Sequence, residues 1–254
     1  MELYQYLLIC PLVFLGGFVD SVAGGGGLIT LPTYFLAGIP THIAAGTNKV
    51  VNGIGTATAS VGYLKNGKVN LSIALPAAVG ALAGSAAGAR LALLLSDALL
   101  KGLMLVALPL VAVFLMVKKD FGMETGEGPA VSPRRRLIIS LLIGLLIGGY
   151  DGLVGPGTGT FMIMAFTALL HLDLISASGC AKVGNLASNA AAAVVYLLSG
   201  KVLWAIVVPA ALCNALGGWC GSQYAIRGGS RRVRGMIFVV LGLLFLKMLW
   251  EFLL

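Results

Sequence analysis

Apolar runs separated by short polar stretches follow one another along the chain of 254 residues. Most runs are about 20 residues long, the length that a helix needs to cross a hydrocarbon layer about 30 Å thick. The pattern therefore predicts an all-α polytopic membrane protein. Ten segments can be delimited, in chain order 3–23, 28–36, 43–64, 71–94, 98–117, 137–154, 160–170, 175–198, 202–225 and 233–252.

Two of these segments, 28–36 and 160–170, are too short to cross a bilayer unaided. Each follows a glycine-rich stretch, four glycines at 24–27 and the sequence GPGTG at 155–159. Because glycine and proline both weaken a helix interior, we expect the chain to unwind at these points. Unwound backbone at membrane depth is tolerated only where it is buried in protein or lines a cavity. The short segments are therefore predicted to be broken or re-entrant helices beside a cavity.

The chain contains an internal repeat. A shift of 133 residues places GTNKVVN at 46–52 on GCAKVGN at 179–185, and the glycine, the lysine, the first valine and the last asparagine agree. The same register places GKV at 67–69 on GKV at 200–202. Two copies of one structural unit are therefore predicted.

These copies are two repeats of about five segments each, 1–117 and 137–254, joined by the polar stretch 118–136. If every segment crosses the membrane, the repeats are inverted. If each short segment only re-enters, each half crosses four times and the repeats are parallel. With Lys49 and Lys182 set aside, the first topology divides the basic residues 11 against 4 and the second divides them 7 against 8. The positive-inside rule favours the asymmetric division. We therefore predict inverted repeats, with eight long and two short helices, 118–136 in the cytoplasm and both termini in the periplasm.

The composition agrees with this fold class and excludes others. Apolar residues make up 59% of the chain and charged residues 10%, whereas soluble domains carry about 25% charged residues. The net charge of +8 is concentrated in short loops, where it sets orientation, so we expect no nucleic acid partner. The cysteines lack CxxC spacing and the histidines lack HxxxH or DxxD partners. We therefore expect no metal, no cofactor and no enzyme activity.

Lys49 and Lys182 occupy equivalent positions inside apolar segments. A charged side chain at membrane depth costs at least about 2.5–3.5 kcal/mol, so such residues usually have a function. A lysine retained in both repeats predicts a polar site between them that attracts anions. Two alternatives remain open: each lysine could reach the membrane surface with its long stem, or Lys49 could form a buried ion pair with Asp20 or Asp151.

Four further polar residues stand near the lysines. Asp20 and Asp151 are the only acids inside the apolar runs, and each precedes a glycine-rich stretch. An unpaired buried carboxylate tends to take up a proton, so these residues could couple transport to protons, or they could balance the lysine charges. Asn52 and Asn185 lie three residues beyond the lysines on the same helix face. Their amides could donate to ligand oxygens or join helices together.

The glycine-rich stretches supply a second kind of donor. A helix that begins after an unwound stretch presents unpaired N–H groups and the positive end of its dipole, which together attract anions. Close helix packing is the alternative explanation for the glycines. The predicted backbone and side-chain donors for an anionic substrate are Gly25, Gly26, Gly27, Thr47, Gly157 and Thr158.

The block Asp-x-x-Ala-Gly-Gly-Gly-Gly-x-Ile-x-x-Pro at 20–32 is followed by Gly-Ile-Pro-x-x-x-Ala-x-Gly-Thr-Asn at 38–48 and by Lys-Asn-Gly-Lys-Val at 65–69. Together these sequences resemble the TauE/SafE family of sulfite and organosulfur permeases over nearly the whole chain. The second half departs from the first, since Gly-Pro-Gly-Thr-Gly replaces the four glycines and Cys180-Ala181 replaces Thr47-Asn48. The two repeats therefore need not contact a ligand in the same way.

The resemblance implies a multi-pass protein of the bacterial inner membrane that moves sulfite, a sulfonate or a sulfur-containing carboxylate. We therefore expect a secondary transporter, most simply an exporter, with the anion bound near the midplane between the repeats. Its expected partners are the small anion and membrane lipid, and a homodimer is one option for its assembly. A membrane scaffold or accessory protein without transport activity, and an anion channel, are the alternatives.

Overall fold

The computed structural model describes residues 2–104, 106 and 131–253, with side chains up to residue 237. This part of the chain is helical and contains no strand, which confirms the all-α prediction. The helices are α1 (Leu3–Ala23), α2 (Gly27–Leu36), α3 (Thr41–Lys65), α4 (Leu71–Leu94), α5 (97–104), α6 (Pro133–Leu153), α7 (Thr158–Leu170), α8 (Leu174–Leu198) and α9 (Trp204–Leu253).

Among the described residues, four helical stretches are long and apolar enough to cross a membrane: α1, α4, α6 and the first part of α9, Trp204–Ile237. The lysine-bearing helices α3 and α8 have 25 residues each, which corresponds to about 38 Å of helix. The short helices α2 and α7 have only 10 and 13 residues and begin within the glycine-rich stretches, at Gly27 and Thr158. The predicted helix breaks are therefore confirmed.

The predicted segments 202–225 and 233–252 correspond to the two parts of α9. The basic stretch between them is helical except at Gly229, which leaves the helical region with φ 66° and ψ −169°. Two helices therefore meet at a kink at this glycine. Most of the predicted segment 98–117 and of the predicted loop 118–136 lies outside the described residues.

The helices form two bundles. One bundle consists of α1, α2, α3 and α9, and the other consists of α6, α7, α8 and α4. Each bundle therefore mixes elements from both predicted repeats, and equivalent elements occupy equivalent places. The bundles meet mainly where α3 packs against α8. The orientation of the repeats relative to the membrane stays a prediction.

Glycines bring paired helices into backbone contact in both bundles. A Cβ at Gly84 on α4 would overlap the carbonyl of Leu145 on α6, and a Cβ at Gly217 on α9 would overlap the carbonyl of Phe14 on α1. Helices in lipid gain stability from this kind of close van der Waals packing because lipid offers no hydrophobic drive for their association. These glycines therefore fix the frame on which the lysine helices stand.

Each lysine helix is also held by a surface turn that comes from the other repeat. Gly46 on α3 lies against the carbonyl of Lys201, and Gly179 on α8 lies against the carbonyl of Lys68. The hydroxyl of Thr47 accepts the N–H of Leu203 at 2.9 Å. These contacts place the N-terminal ends of α3 and α8, and so their lysines, at fixed depths.

The packing predicts opposite results for two neighbouring glycines on α6. A Cβ at Gly148 would lie 2.7 Å from Ala81 Cα, whereas a Cβ at Gly149 would be no closer than 3.7 Å to any atom outside its own helix. Both alanines gain about 1 kcal/mol of helix propensity, but overpacking costs about 1–3 kcal/mol. We expect Gly148→Ala to lower the midpoint of thermal unfolding in detergent and Gly149→Ala to leave it unchanged or raise it. Equal midpoints would contradict the interlocked packing.

Candidate functional site

Two buried ion pairs join the bundles. Lys49 Nζ on α3 lies 2.7 Å from Asp151 Oδ1 near the end of α6, and Lys182 Nζ on α8 lies 2.7 Å from Asp20 Oδ2 near the end of α1. Each lysine thus pairs with the aspartate of the opposite repeat and of the opposite bundle. Of the alternatives left open by the sequence, the structure contains a buried pair between Lys49 and Asp151, and an equivalent pair in the other repeat.

Asp151 is the more enclosed of the two aspartates, with 4% of its side chain exposed. It accepts hydrogen bonds from the hydroxyl of Thr158 at 2.8 Å and from the hydroxyl of Ser188. With Lys49, three groups from α3, α7 and α8 surround one carboxylate. Charge-assisted bonds of this kind are among the strongest that proteins make, so this carboxylate ties four helices together.

Asp20 has a different environment. Its side chain is 14% exposed, and besides Lys182 it accepts only the N–H of Gly26, at 3.2 Å. Lys182 is fully buried and also donates to the main-chain carbonyl of Asp20 at 2.5 Å. Both hydrogen bonds of Lys182 thus go to one residue. The two ion pairs are equivalent in sequence but different in their access to a ligand.

The two helix breaks lie against each other between the two ion pairs. Gly24 ends α1 with φ 81°, and Gly155 and Gly157 precede α7 with φ 97° and 81°, conformations that favour glycine. A Cβ at Gly24 would overlap the backbone of Gly159. The hydroxyl of Thr160 donates to the carbonyl of Ala23 at 2.8 Å and satisfies one acceptor left at the end of α1. The breaks thus bring the start of α7 directly against the end of α1.

A small polar cavity lies at this crossing. It offers about 20 Å³ to the centres of water-sized spheres, which is room for a water molecule or two. The cavity holds an ammonium, two carboxylates and four carboxamides, and the starts of α2 and α7 face it. Its walls are formed by Asp20, Gly24, Gly27, Asn48, Lys49, Asn52, Asp151, Gly155, Thr158, Asn185 and Asn189.

The structure brings together part of the predicted site. Of the predicted residues, the cavity walls include Asp20, Gly27, Lys49, Asn52, Asp151, Thr158 and Asn185. The walls do not include Gly25, Gly26, Thr47, Gly157 or Lys182. Thr47 is fully buried and its hydroxyl already holds the N–H of Leu203. Ligand contacts by any of these residues stay a prediction.

Sequence reasoning missed two of the amides. Asn48 and Asn189 line the cavity, one helical turn from Asn52 and Asn185 respectively. Asn52 donates to Asn48 at 3.2 Å and Asn189 donates to Asn185 at 2.7 Å. The spacing of four residues between asparagines on both lysine helices was the available signal, because residues at this spacing share a helix face.

A polytopic helical protein with charged groups buried between two bundles is typical of membrane transporters, and comparison with known proteins agrees. The family described as sulfite exporter TauE/SafE matches residues 9–248, and the chain belongs to this family. It is therefore a membrane transporter and not an enzyme. No solved structure matches the chain.

Its relatives carry the same general description. A probable membrane transporter protein from Sinorhizobium is 36% identical over 89% of this chain and 85% of its own length. One from Haemophilus influenzae is 32% identical over 94% and 92%. One from Escherichia coli K12 is 30% identical over 93% and 87%. The similarity thus covers most of each protein.

Each lysine pairs with the aspartate of the other repeat. This pairing predicts which double variants recover stability. Asp151→Asn leaves Lys49 buried without its carboxylate, which costs about 3–5 kcal/mol. Adding Lys49→Gln removes the stranded charge, so we expect the double variant to regain part of the unfolding midpoint measured in detergent. Adding Lys182→Gln instead strands Asp20 as well, so this mismatched double variant is expected to be less stable than Asp151→Asn alone. Recovery by Lys182→Gln would contradict the observed partners.

Proposed function

We propose that the chain is a secondary transporter of a small sulfur-containing anion, sulfite, a sulfonate or a sulfur-containing carboxylate, and that it works as an exporter in a bacterial inner membrane. The proposed binding site is the cavity between the bundles, near the bilayer midplane. The observation that carries the proposal is a lysine ammonium in this cavity, surrounded by carboxamides and faced by two helix starts. The family description, sulfite exporter, supports the sulfur anion and the outward direction.

The surroundings of the two lysines differ, and this difference indicates which ammonium group binds the ligand. Lys49 lines the cavity, and one of its three N–H groups lies against Asp151. The two remaining N–H groups have no acceptor within the described residues. Lys182 does not line the cavity, and Asp20 takes both of its hydrogen bonds. We therefore propose that Lys49 binds the substrate and that Lys182 stabilises the packing of the helices.

The described conformation is closed around the site. Room for a water molecule or two is less than a sulfonate head group of four heavy atoms needs. Binding and release therefore require the bundles to separate at the α3–α8 interface. Both ion pairs link the two bundles, so the same movement pulls Lys49 from Asp151. An anion that arrives at Lys49 replaces the lost carboxylate. Bound substrate therefore lowers the free-energy cost of separating the bundles.

Asp20 and Asp151 are proposed to balance charge instead of carrying protons. Each carboxylate contacts a lysine at 2.7 Å and accepts from at least one further donor. The four charged residues sum to zero, so a monoanion adds one uncompensated negative charge. Transport is then driven by the membrane potential and by the gradient of the anion itself.

The lysine assignment predicts different results for two equivalent substitutions. Uptake of labelled sulfite or ethanesulfonate is measured in proteoliposomes that contain folded wild type, Lys49→Gln or Lys182→Gln. Loss of a charged hydrogen bond to the ligand weakens binding by about ten- to hundredfold, so Lys49→Gln should raise KM by that factor. Lys182→Gln should mainly lower the unfolding midpoint.

The exposed Lys201 provides the control, since Lys201→Gln changes the charge without touching the cavity. Unchanged KM in Lys49→Gln would refute the assignment. Wild-type protein without saturable flux of any sulfur anion would favour the scaffold alternative, and saturable flux without counterflow would favour a channel.

The charge balance predicts the driving force. In proteoliposomes with an imposed potassium diffusion potential, ethanesulfonate should move toward the positive side, since one elementary charge gains about 2.3 kcal/mol per 100 mV. A pH gradient of the same size should have no effect, because this ligand stays a monoanion and the aspartates are proposed to balance the lysine charges and not to carry protons. Transport that follows the pH gradient and ignores the potential would assign the coupling proton to one of the aspartates instead.

A further inference from the structure

A row of three carboxamides runs from the back of the cavity into its wall. The Nδ2 group of Asn214 on α9 donates to the carbonyl of Val13 at 3.1 Å and to Oδ1 of Asn52 at 3.2 Å. The Nδ2 group of Asn52 donates in turn to Oδ1 of Asn48 at 3.2 Å. Asn52 and Asn48 line the cavity, whereas Asn214 stands behind them and is 2% exposed.

The direction of this row is set at its buried end. A main-chain carbonyl can only accept a hydrogen bond, so the carbonyl of Val13 requires the NH₂ group of Asn214 to face it. The second hydrogen of that NH₂ group then takes the oxygen of Asn52, whose own NH₂ group takes the oxygen of Asn48. Each amide in the row thus has one orientation. The NH₂ group of Asn48 is left over, and no described residue accepts from it within hydrogen-bonding distance.

The surroundings of Asn214 are shaped for this amide. A Cβ at Gly55 on α3 would overlap Asn214 Oδ1, and a Cβ at Gly17 on α1 would lie 3.1 Å from Asn214 Cγ. Three helices therefore enclose the carboxamide with no room for a longer side chain. The other repeat has Ala81 at the equivalent position, so the row has no second copy.

The amides on α8 lack such an anchor. Asn189 donates to Asn185 at 2.7 Å, which also leaves the Asn185 NH₂ group facing the cavity, but no main-chain carbonyl among the described contacts fixes this pair. The protein therefore imposes donor orientation from the α3 side. Cooperative polarisation along the row strengthens the free donor at its end.

From this row we propose that Asn214 is a positioning residue that holds the NH₂ group of Asn48 as a donor toward the ligand. Asn48 and Lys49 both line the cavity, and this NH₂ group and the Lys49 ammonium can only donate. This part of the site therefore selects a fully deprotonated oxyanion group, such as a sulfonate, whose oxygens only accept. It disfavours an isosteric group that presents an N–H or O–H at the same point. This inference rests on the proposed function, because it concerns the ligand of the same cavity.

The test reverses the row with an isosteric change. In Asn214→Asp the carboxylate has no hydrogen to donate, so Asn52 turns its NH₂ group toward residue 214 and its oxygen toward Asn48. The NH₂ group of Asn48 then turns to Asn52 and away from the ligand. Binding of two probes, methanesulfonate and its donor-bearing isostere methanesulfonamide, is measured by calorimetry in detergent. We expect Kd for methanesulfonate to rise about tenfold and Kd for methanesulfonamide to stay equal or fall.

Two further variants separate positioning from general damage to the fold. Asn52→Leu cuts the row at its middle and should shift the selectivity between the probes in the same direction, also if Asn214→Asp does not fold. Ser222→Ala removes another fully buried polar group of α9, whose hydroxyl donates only to the carbonyl of Trp219 on its own helix. This control should leave the selectivity unchanged.

The outcomes distinguish this inference from the function on which it rests. Unchanged selectivity in folded Asn214→Asp and Asn52→Leu would overturn the positioning role and leave the anion site standing. A selectivity shift in Ser222→Ala of the same size would also overturn it. Wild-type protein that binds neither methanesulfonate nor sulfite would overturn the proposed function and the inference together.

Discussion

The structure depends on one constraint: two ammonium groups are held in a low-dielectric interior and cannot remain there alone. Each is neutralised by a carboxylate that comes from the opposite repeat and the opposite bundle. An ion pair of this kind adds little stability compared with apolar packing, but losing one partner is costly. The pairs therefore add little to the stability of the fold, but they restrict how the two bundles can be placed relative to each other. The glycine contacts, the helix breaks and the clamped turns all keep four charged groups within reach of one another.

A nearly symmetric frame carries an asymmetric site. The glycine interlocks and the clamps on α3 and α8 recur in both repeats, whereas the surroundings of the charges do not. Asp151 gains Thr158 and Ser188 as donors, and Lys182 is sealed away from the cavity. The differences between the repeats give the cavity one ammonium and one oriented amide row.

Much of the fold could be read from local signals. The length of the apolar runs predicted the helices, and the glycine-rich stretches predicted the breaks before α2 and α7, because both effects act within a few residues of sequence. The kink at Gly229 that joins the two parts of α9 was not predicted. The polarity of residues 226–234 resembles a loop, and a single glycine does not reveal whether helical turns resume beyond it.

The site could be predicted only as a set of residue types. The equivalence of Lys49 and Lys182 indicated a shared polar site, but which aspartate each lysine meets depends on how helices more than 100 residues apart in sequence pack. Asn214 carried no signal at all, because it lies in an apolar run and its role depends on a carbonyl of α1.

The exchange of partners between the repeats also bears on how such a chain can have arisen. A single repeat contains a lysine and an aspartate that both face away toward the other copy, so on its own it would expose an unpaired buried charge. Two identical copies placed face to face satisfy both charges at once. The ancestral half-length chain is therefore expected to have existed as a dimer, with the crossing pairs already formed between two molecules. A fusion of two such copies would need only a linker, and each half could then change independently.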